Sequence, residues 1–304
     1  VRKNIWPSVY NLKKSQVIRF LKVLFELFKL CEFPKHFSKY SKKTFDNWQL
    51  FALLVLRQKA KCSYQDFVEE WLPCSTVIIN FLKLKSIPTA SCLIKFASRV
   101  EAYWAHSVIG EVAAYAEISE AILGFDGSTN STKYGSRHYY GRIGKKLKKK
   151  DSVKWLPVVE LKQQLILAVK IRKKARHDNV DLKPLARKVR RKTTIKRGIG
   201  DKAFDKEGNY TFFEDEIGGE FLAPVRNKDV PVWRTKGVHR KKLKRYFPKK
   251  KYHQRSKSET VFSVIKKKMG EALYSVKFHM RKIELLMRCI VYDIDRLLKL
   301  GVGA

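Results

Sequence analysis

The chain reads as a two-part protein: an all-helical region, then an α/β domain whose mixed sheet is flanked by helices. Three observations predict this. From Lys13 to about Ile118, apolar residues recur at spacings of three and four. At Ile118 the texture changes to short β-branched runs that end in turn chemistry. From there the order is β-β-β-α-β-α-β-α, in which three strands pair as a meander and alternating units extend the sheet, the pattern of a layered α/β fold. The expected boundary divides residues 1–118 from residues 119–304, and no internal repeat interrupts either part.

In the helical part, Val17, Phe20, Leu21, Leu24, Phe25 and Phe28 form an apolar stripe along residues 13–30. FDNWQLFALLVLRQKA (45–60) predicts a second helix. SYQDFVEEWL (63–72) predicts a third, with Ser63 placed to cap it. From Pro88, IPTASCLIKFASRVEAYWAHSVIGEVAAYA runs on as one or two helices. A helix-turn-helix between Ser63 and Arg99 and plain helical packing fit these residues equally well.

The second part opens with AILGFDGS (121–128), a buried-type strand, followed by a polar, glycine-bearing loop. VKWLPVVELK and QQLILAVKIRK meet at Lys162–Gln163 as a hairpin. DLKPLARKV (181–189) predicts a short helix, TTIKRGIGDKAF (193–204) a fourth strand, EGNYTFFEDEIGG (207–219) a helix and EFLAPVRN (220–227) a last strand. A basic segment over 226–251 precedes one long helix, expected to run from about Tyr252 into the terminal KIELLMRCIVYDIDRLLKL.

Composition narrows the partners. Lys and Arg total 66 against 28 Asp and Glu, a formal charge of +38 on 304 residues. Such an excess resists compaction and calls for an anionic partner. Nucleic acid fits best, because each neutralised phosphate releases a counterion. An acidic membrane surface fits less well, since no basic amphipathic helix dominates. The longest apolar stretch, Leu50–Leu56, is too short to span a bilayer. Five scattered cysteines without a CxxC pair read as free thiols of a reducing cytosol.

Three acids stand out by position. Asp126 ends the first strand, Asp201 ends the fourth after Gly198-Ile-Gly200, and Glu259 lies on the helix after the basic segment. If the first and fourth strands are parallel neighbours, their C-terminal ends bring Asp126 and Asp201 together. A helix crossing that end adds Glu259. Clustered carboxylates need a cation, and oxygen ligands suit Mg²⁺ or Mn²⁺. Singly, each acid also has a plain reading as a turn residue or a solvated helix residue.

The surroundings of Glu259 carry more. No acidic residue occurs from Val230 to Ser258. On a helix, Tyr252, Arg255 and Lys266 fall at roughly +20°, −40° and −20° from Glu259, within an arc of roughly 60°. A phenol, a guanidinium, a carboxylate and an ammonium share one stripe, which suits a metal-binding carboxylate flanked by phosphate-binding donors.

The spacing Tyr-x2-Arg-x3-Glu-x6-Lys at Tyr252, Arg255, Glu259 and Lys266 resembles the signature of DDE transposases of the insertion-sequence-four and insertion-sequence-five groups. ILGFDGS, the His177-Asp178 pair, GIGDKAFD and the N-terminal IPTASCLIKFASR resemble further segments of those enzymes, so the likeness spans nearly the whole chain. The resemblance implies an RNase H-like catalytic domain preceded by a helical DNA-binding and dimerisation domain. It implies two Mg²⁺ or Mn²⁺ ions held by Asp126, Asp201 and Glu259, with Tyr252, Arg255 and Lys266 on the phosphates of the transposon end. It also implies double-stranded DNA as partner, cleavage at terminal inverted repeats, joining of the 3′-OH to target DNA, a homodimer in the synaptic complex, and a nucleoid-associated location in a prokaryotic cytoplasm.

Lys202, beside Asp201, is a further candidate for DNA contact. In the basic segment Trp233, Tyr246 and Phe247 stand among cations, a mixture suited to stacking on unpaired bases, with Trp233 as the candidate stacking residue. His177-Asp178 fits a proton-transfer or metal pair, and also a loop-to-helix junction with Asp178 near the cap. The runs at 141–151 and 187–197 read as solvated faces that touch DNA nonspecifically. Two other functions fit the same residues: a standalone RNase H-like nuclease, and a domesticated DNA-binding protein that has lost catalysis. The intact acids argue against the latter.

Overall fold

The structure is a computed structural model and describes residues 15–132, 142–144, 152–173, 177–227 and 229–303. Among the described residues six strands form one mixed sheet. β1 (Glu120–Phe125) is central. It pairs antiparallel with β3 (Ser152–Glu160) and parallel with β5 (Thr194–Gly200). β4 (Leu165–Arg172) closes the β3 hairpin, and β6 (Glu220–Leu222) lies parallel beyond β5. With helices on its faces this is an RNase H-like α/β fold preceded by helices, as predicted. The polar loop after Asp126 holds a strand that the residue pattern does not announce, β2 (Ser128–Ser131), which pairs with the start of β3. Its residues, Ser-Thr-Asn-Ser, lack the apolar alternation by which strands are recognised.

Among the described residues six helices precede the sheet: α1 (Gln16–Lys29), α2 (Asn47–Ala60), α3 (Tyr64–Asp66, continuing as a π turn to Trp71), α4 (Thr76–Phe81), α5 (Ala90–Arg99) and α6 (Ala102–Tyr115). The stretch after Pro88 is therefore two helices. Ser63 caps α3 as expected, its Oγ accepting from Asp66 N at 3.1 Å. The sheet region adds α7 (Asn179–Arg190), α8 (Glu207–Phe212), α9 (Val238–Arg245), α10 (Lys249–Tyr252), α11 (Ser256–Met269) and α12 (Phe278–Lys299).

Two predicted elements are corrected. The single helix expected from Tyr252 onward is broken twice: Tyr252 ends α10, and a 3₁₀ turn over His253–Arg255 leads into α11, which is itself separate from α12. α11 stops at Gly270, whose φ of 86° lies where glycine is favoured, and α12 starts only at Phe278. The Arg288 guanidinium holds the intervening turn by donating to Gly270 O at 2.6 Å and Ala272 O at 2.8 Å. The strand expected over 220–227 ends at Leu222. Pro224 has no N–H for a ladder, and Arg226 N donates instead to Asp205 Oδ2 at 2.9 Å.

α12 joins the two parts. It packs on α6, α2 and β4, so the apolar core runs unbroken from α1 to α12. Its buried Asp293 accepts from Ile166 N of β4 at 2.8 Å. Burial pushes this carboxyl well above the usual carboxylate range.

Gly124 in β1 has a different task. A Cβ there would collide with Ser258 Oγ of α11 and stand 2.8 Å from Leu161 Cδ2. The bare backbone lets α11 rest directly on the strand, with Ser258 fully buried at the contact. Gly124→Ala is expected to cost about 1–3 kcal/mol by overpacking and to lower Tm, with part of the loss regained in Gly124→Ala/Ser258→Gly. A Gly124→Ala protein melting with the wild type would show that α11 does not bear on β1.

Candidate active site

Because β1 and β5 are parallel with Phe125 opposite Gly200, Asp126 and Asp201 leave the sheet at adjacent strand ends. Asp201 enters a 3₁₀ turn at once, its Oδ1 accepting from Ala203 N at 2.8 Å. Glu259 follows Ser258 on α11 and is half exposed, whereas Asp126 is mostly buried. Arg255 stands between them. Its Nη1 donates to Asp126 Oδ2 at 2.9 Å and its Nη2 to Glu259 Oε1 at 2.5 Å.

The backbone stays right-handed helical from Tyr252 through Ser256, so the predicted stripe holds. Tyr252 hydrogen-bonds Arg255 and faces both aspartates, and burial raises its phenol pKa. Phe247 sets the Tyr252 ring edge-on at 5.2 Å. Lys266 lines, with Asp126 and Glu259, an open cavity of about 590 Å³.

Burial pushes the Asp126 carboxyl up to about 6, the nearby Arg255 opposing and the Asp201 and Glu259 carboxylates adding to the rise. Of the six residues expected in the signature and the strand-end motifs, Arg255, Asp201 and Glu259 thus act on Asp126 through charge and Tyr252 through Arg255, while Lys266 lines the cavity beside it. Lys202 is exposed one residue past Asp201. Trp233 is 71% exposed, with the Arg234 guanidinium 4.6 Å over its ring, and touches none of the three acids among the described residues. The basic run at 141–151 falls almost wholly outside the described residues.

Several residues enter only with the structure. Glu271 and Lys267 line the cavity. Asp178, named from the sequence with His177, takes the N-cap position of α7 without a side-chain cap bond. Its carboxylate pairs with Lys154 at 2.8 Å, and a Cβ on Gly127 would stand 2.7 Å from its Oδ2. A side chain at Gly127 would therefore have to push the Asp178 carboxylate aside. Asp205 is fully buried and receives Arg240 at 3.0 Å, which docks the basic α9 beside the end of β5. The sequence signal for Asp205 was present in GDKAFD, where a second acid follows Asp201 by four residues.

Among the described residues, no three carboxylate, imidazole or thiol groups converge on one point, Arg255 being inserted between Asp126 and Glu259. The donors still suit a hard divalent cation. They are all oxygens, and burial with two neighbouring negative charges raises the Asp126 carboxyl to about 6.

A transposase DDE domain family model matches residues 124–294, more than half of the 304 residues. The chain belongs to the transposase DDE domain family. The match opens at Gly124 of β1 and closes within α12, so it contains Asp126, Asp201 and Glu259. This DDE-type transposase acts on DNA, in keeping with its charge, and none of its described helices is long and apolar enough to cross a membrane. Among solved structures the chain is similar to a cryo-EM structure of a piggyBac transposase synaptic complex with hairpin DNA, at 12% identity and a TM-score of 0.43, over 98% of this chain and 78% of that one. That likeness is too distant to bear on chemistry. No curated protein matches.

The raised pKa of Asp126 gives a pH prediction for the metal-free transposase. A carboxyl raised from 3.8 to about 6 favours the folded state while protonated, and that contribution is lost as pH rises from about 4 through about 6. In chelator, Asp126→Asn should gain on the wild type across this window, by roughly 2–3 kcal/mol at pH 8. A pH-independent difference between the two melting curves would refute the assignment.

Proposed function

We propose that this chain is the transposase of an insertion sequence of the insertion-sequence-four or insertion-sequence-five group, cutting at terminal inverted repeats and joining the freed 3′-OH to target DNA. The observation that carries the reading is the register of β1 against β5, which sets Asp126 beside Asp201 while Arg255 ties Glu259 to Asp126.

Asp126, Asp201 and Glu259 would hold Mg²⁺ or Mn²⁺. Two such ions supply activation of the attacking oxygen and stabilisation of the leaving one. Arg255 is the nearest guanidinium to both carboxylates. Once a cation neutralises them, its fork is free to turn to a phosphate, for which its geometry is suited. Tyr252 orients Arg255, and Lys266 adds a point charge at the cavity wall. Lys202 and the docked α9 extend the cationic surface along the DNA, Trp233 offers a ring to an unpaired base, and residues 1–118 serve end recognition and dimerisation.

Sequencing the DNA on both sides of the gene supplies the substrate: matching inverted repeats bounded by short direct duplications are expected. On a duplex carrying that end, Glu259→Gln and Asp201→Asn should cut at least ~100-fold more slowly in Mg²⁺ and still bind. Full-rate cleavage by Asp201→Asn would remove it from the metal site. Trp233→Ala is expected to weaken binding to DNA with an unpaired end and to leave blunt-duplex binding intact; equal binding to both would end its stacking role.

A further inference from the structure

A second pocket adjoins the carboxylate cavity, and Lys267 lines both. It encloses about 620 Å³ between the end of α2, the turn at residues 62–66 and the connection from α11 to α12. Two guanidiniums form its floor. Arg57 is 8% exposed and Arg288 1%. The Arg57 guanidinium lies 4.0 Å over the Tyr64 ring and donates to Cys62 O at 3.0 Å. Among the described residues no carboxylate pairs with it, and its buried Nε has no hydrogen-bond partner.

Arg288 is held by two carbonyls and by Glu284 Oε1 at 2.7 Å, and its Nε is likewise unpartnered. Glu284 is already engaged: its oxygens also accept Tyr274 N at 3.1 Å and Ser275 N at 3.0 Å. At the mouth, Lys61 and Lys267 are exposed and form no ion pair among the described residues, and Asp66 stands on the rim as the remaining acid.

Buried charges are normally paired. Of two buried guanidiniums only Arg288 meets a carboxylate, and that one is already engaged, which leaves this pocket short of an anion. We propose that it holds a backbone phosphate of the DNA strand continuing from the carboxylate cavity, which would bring the N-terminal helices into the path of the substrate. The proposal rests on the transposase reading. Continuity through Lys267 favours a strand over a free phosphate, which would need no shared wall. Lys61 supports it from another side. It closes α2 in the left-handed region, φ 59°, a position that glycine occupies at less cost. Lys61→Gly therefore removes the cation without straining the backbone.

The test uses the full chain without divalent ions, so that DNA is bound and not cut. The salt dependence of affinity for the duplex end should be steep in the wild type. In Lys61→Gly/Lys267→Ala its slope should fall by about 2, and by more than in Lys22→Ala/Lys29→Ala on α1. Hydrogen exchange should show DNA protecting backbone amides at residues 62–66 and 270–275. A wild-type slope in the Lys61/Lys267 double variant, with no protection of those amides, overturns the pocket while leaving the transposase reading standing. Protection by inorganic phosphate and not by DNA assigns the pocket to a free phosphate and also overturns it. A wild type that binds no DNA at any salt overturns the transposase reading itself.

Discussion

The site depends on a contact that has no chemistry of its own: α11 lying against β1 where Gly124 has no side chain. The two aspartates come together by strand pairing alone. Glu259 belongs to an element that reaches the sheet only across a loop, a basic helix and two tight turns. Its placement depends on how near α11 can approach, and that distance is set by a glycine under Ser258. Because Ser258 is buried, its neighbour Glu259 must lie at the edge of the contact, where a carboxylate can meet solvent, DNA or a cation. The same close packing turns Arg255, one helical turn earlier, toward Asp126.

Charge then decides the local arrangement. Burial raises the pKa of Asp126, and the neighbouring carboxylates of Asp201 and Glu259 add to the rise. Arg255 partly relieves this by spanning Asp126 and Glu259. A lysine could not do so as well, since its single ammonium lacks the fork that touches two carboxylates at once. The absence of acids from Val230 to Ser258 follows the same logic: any further negative charge there would compete for Arg255 and repel a polyanion from the approach to the site.

What could be read from residues alone divides along physical lines. Most strands, and the positions of Asp126 and Asp201 at two strand ends, were legible because β-branched runs and the turn chemistry after them are local signals. That those two strands are parallel neighbours entered only as a condition, which the pairing of β1 with β5 meets. The stripe of Tyr252, Arg255, Glu259 and Lys266 was legible because a helix converts spacing into a face. The break at Gly270 was not. A glycine between a lysine run and an apolar run is compatible with a helix, and what ends this one is Arg288, 18 residues on, holding the turn's carbonyls. β2 was hidden because its polar residues pair by backbone alone. Asp178 was marked in the sequence, but its pairing with Lys154 was hidden because the two lie on different elements and meet only in the fold. Gly124 was visible as a glycine inside a strand, a known mark of close approach, but the partner that approaches could not be named.

The helical region is more than an appendage to this sheet. α12 contributes to the core of both parts, and its polar residues serve both. Asp293 secures Ile166 of β4, while Glu284 and Arg288 secure the turn that ends α11. A shift of α2 against α12 would therefore move Arg57 relative to Arg288 and, through the turn at Gly270, the last turn of the helix that carries Glu259, Lys266 and Lys267. Under the proposed function, DNA held by the N-terminal helices and DNA held at the carboxylates would be braced by one helix. Recognition of an end by the first part would then have a direct mechanical path to the geometry of the second, through α12.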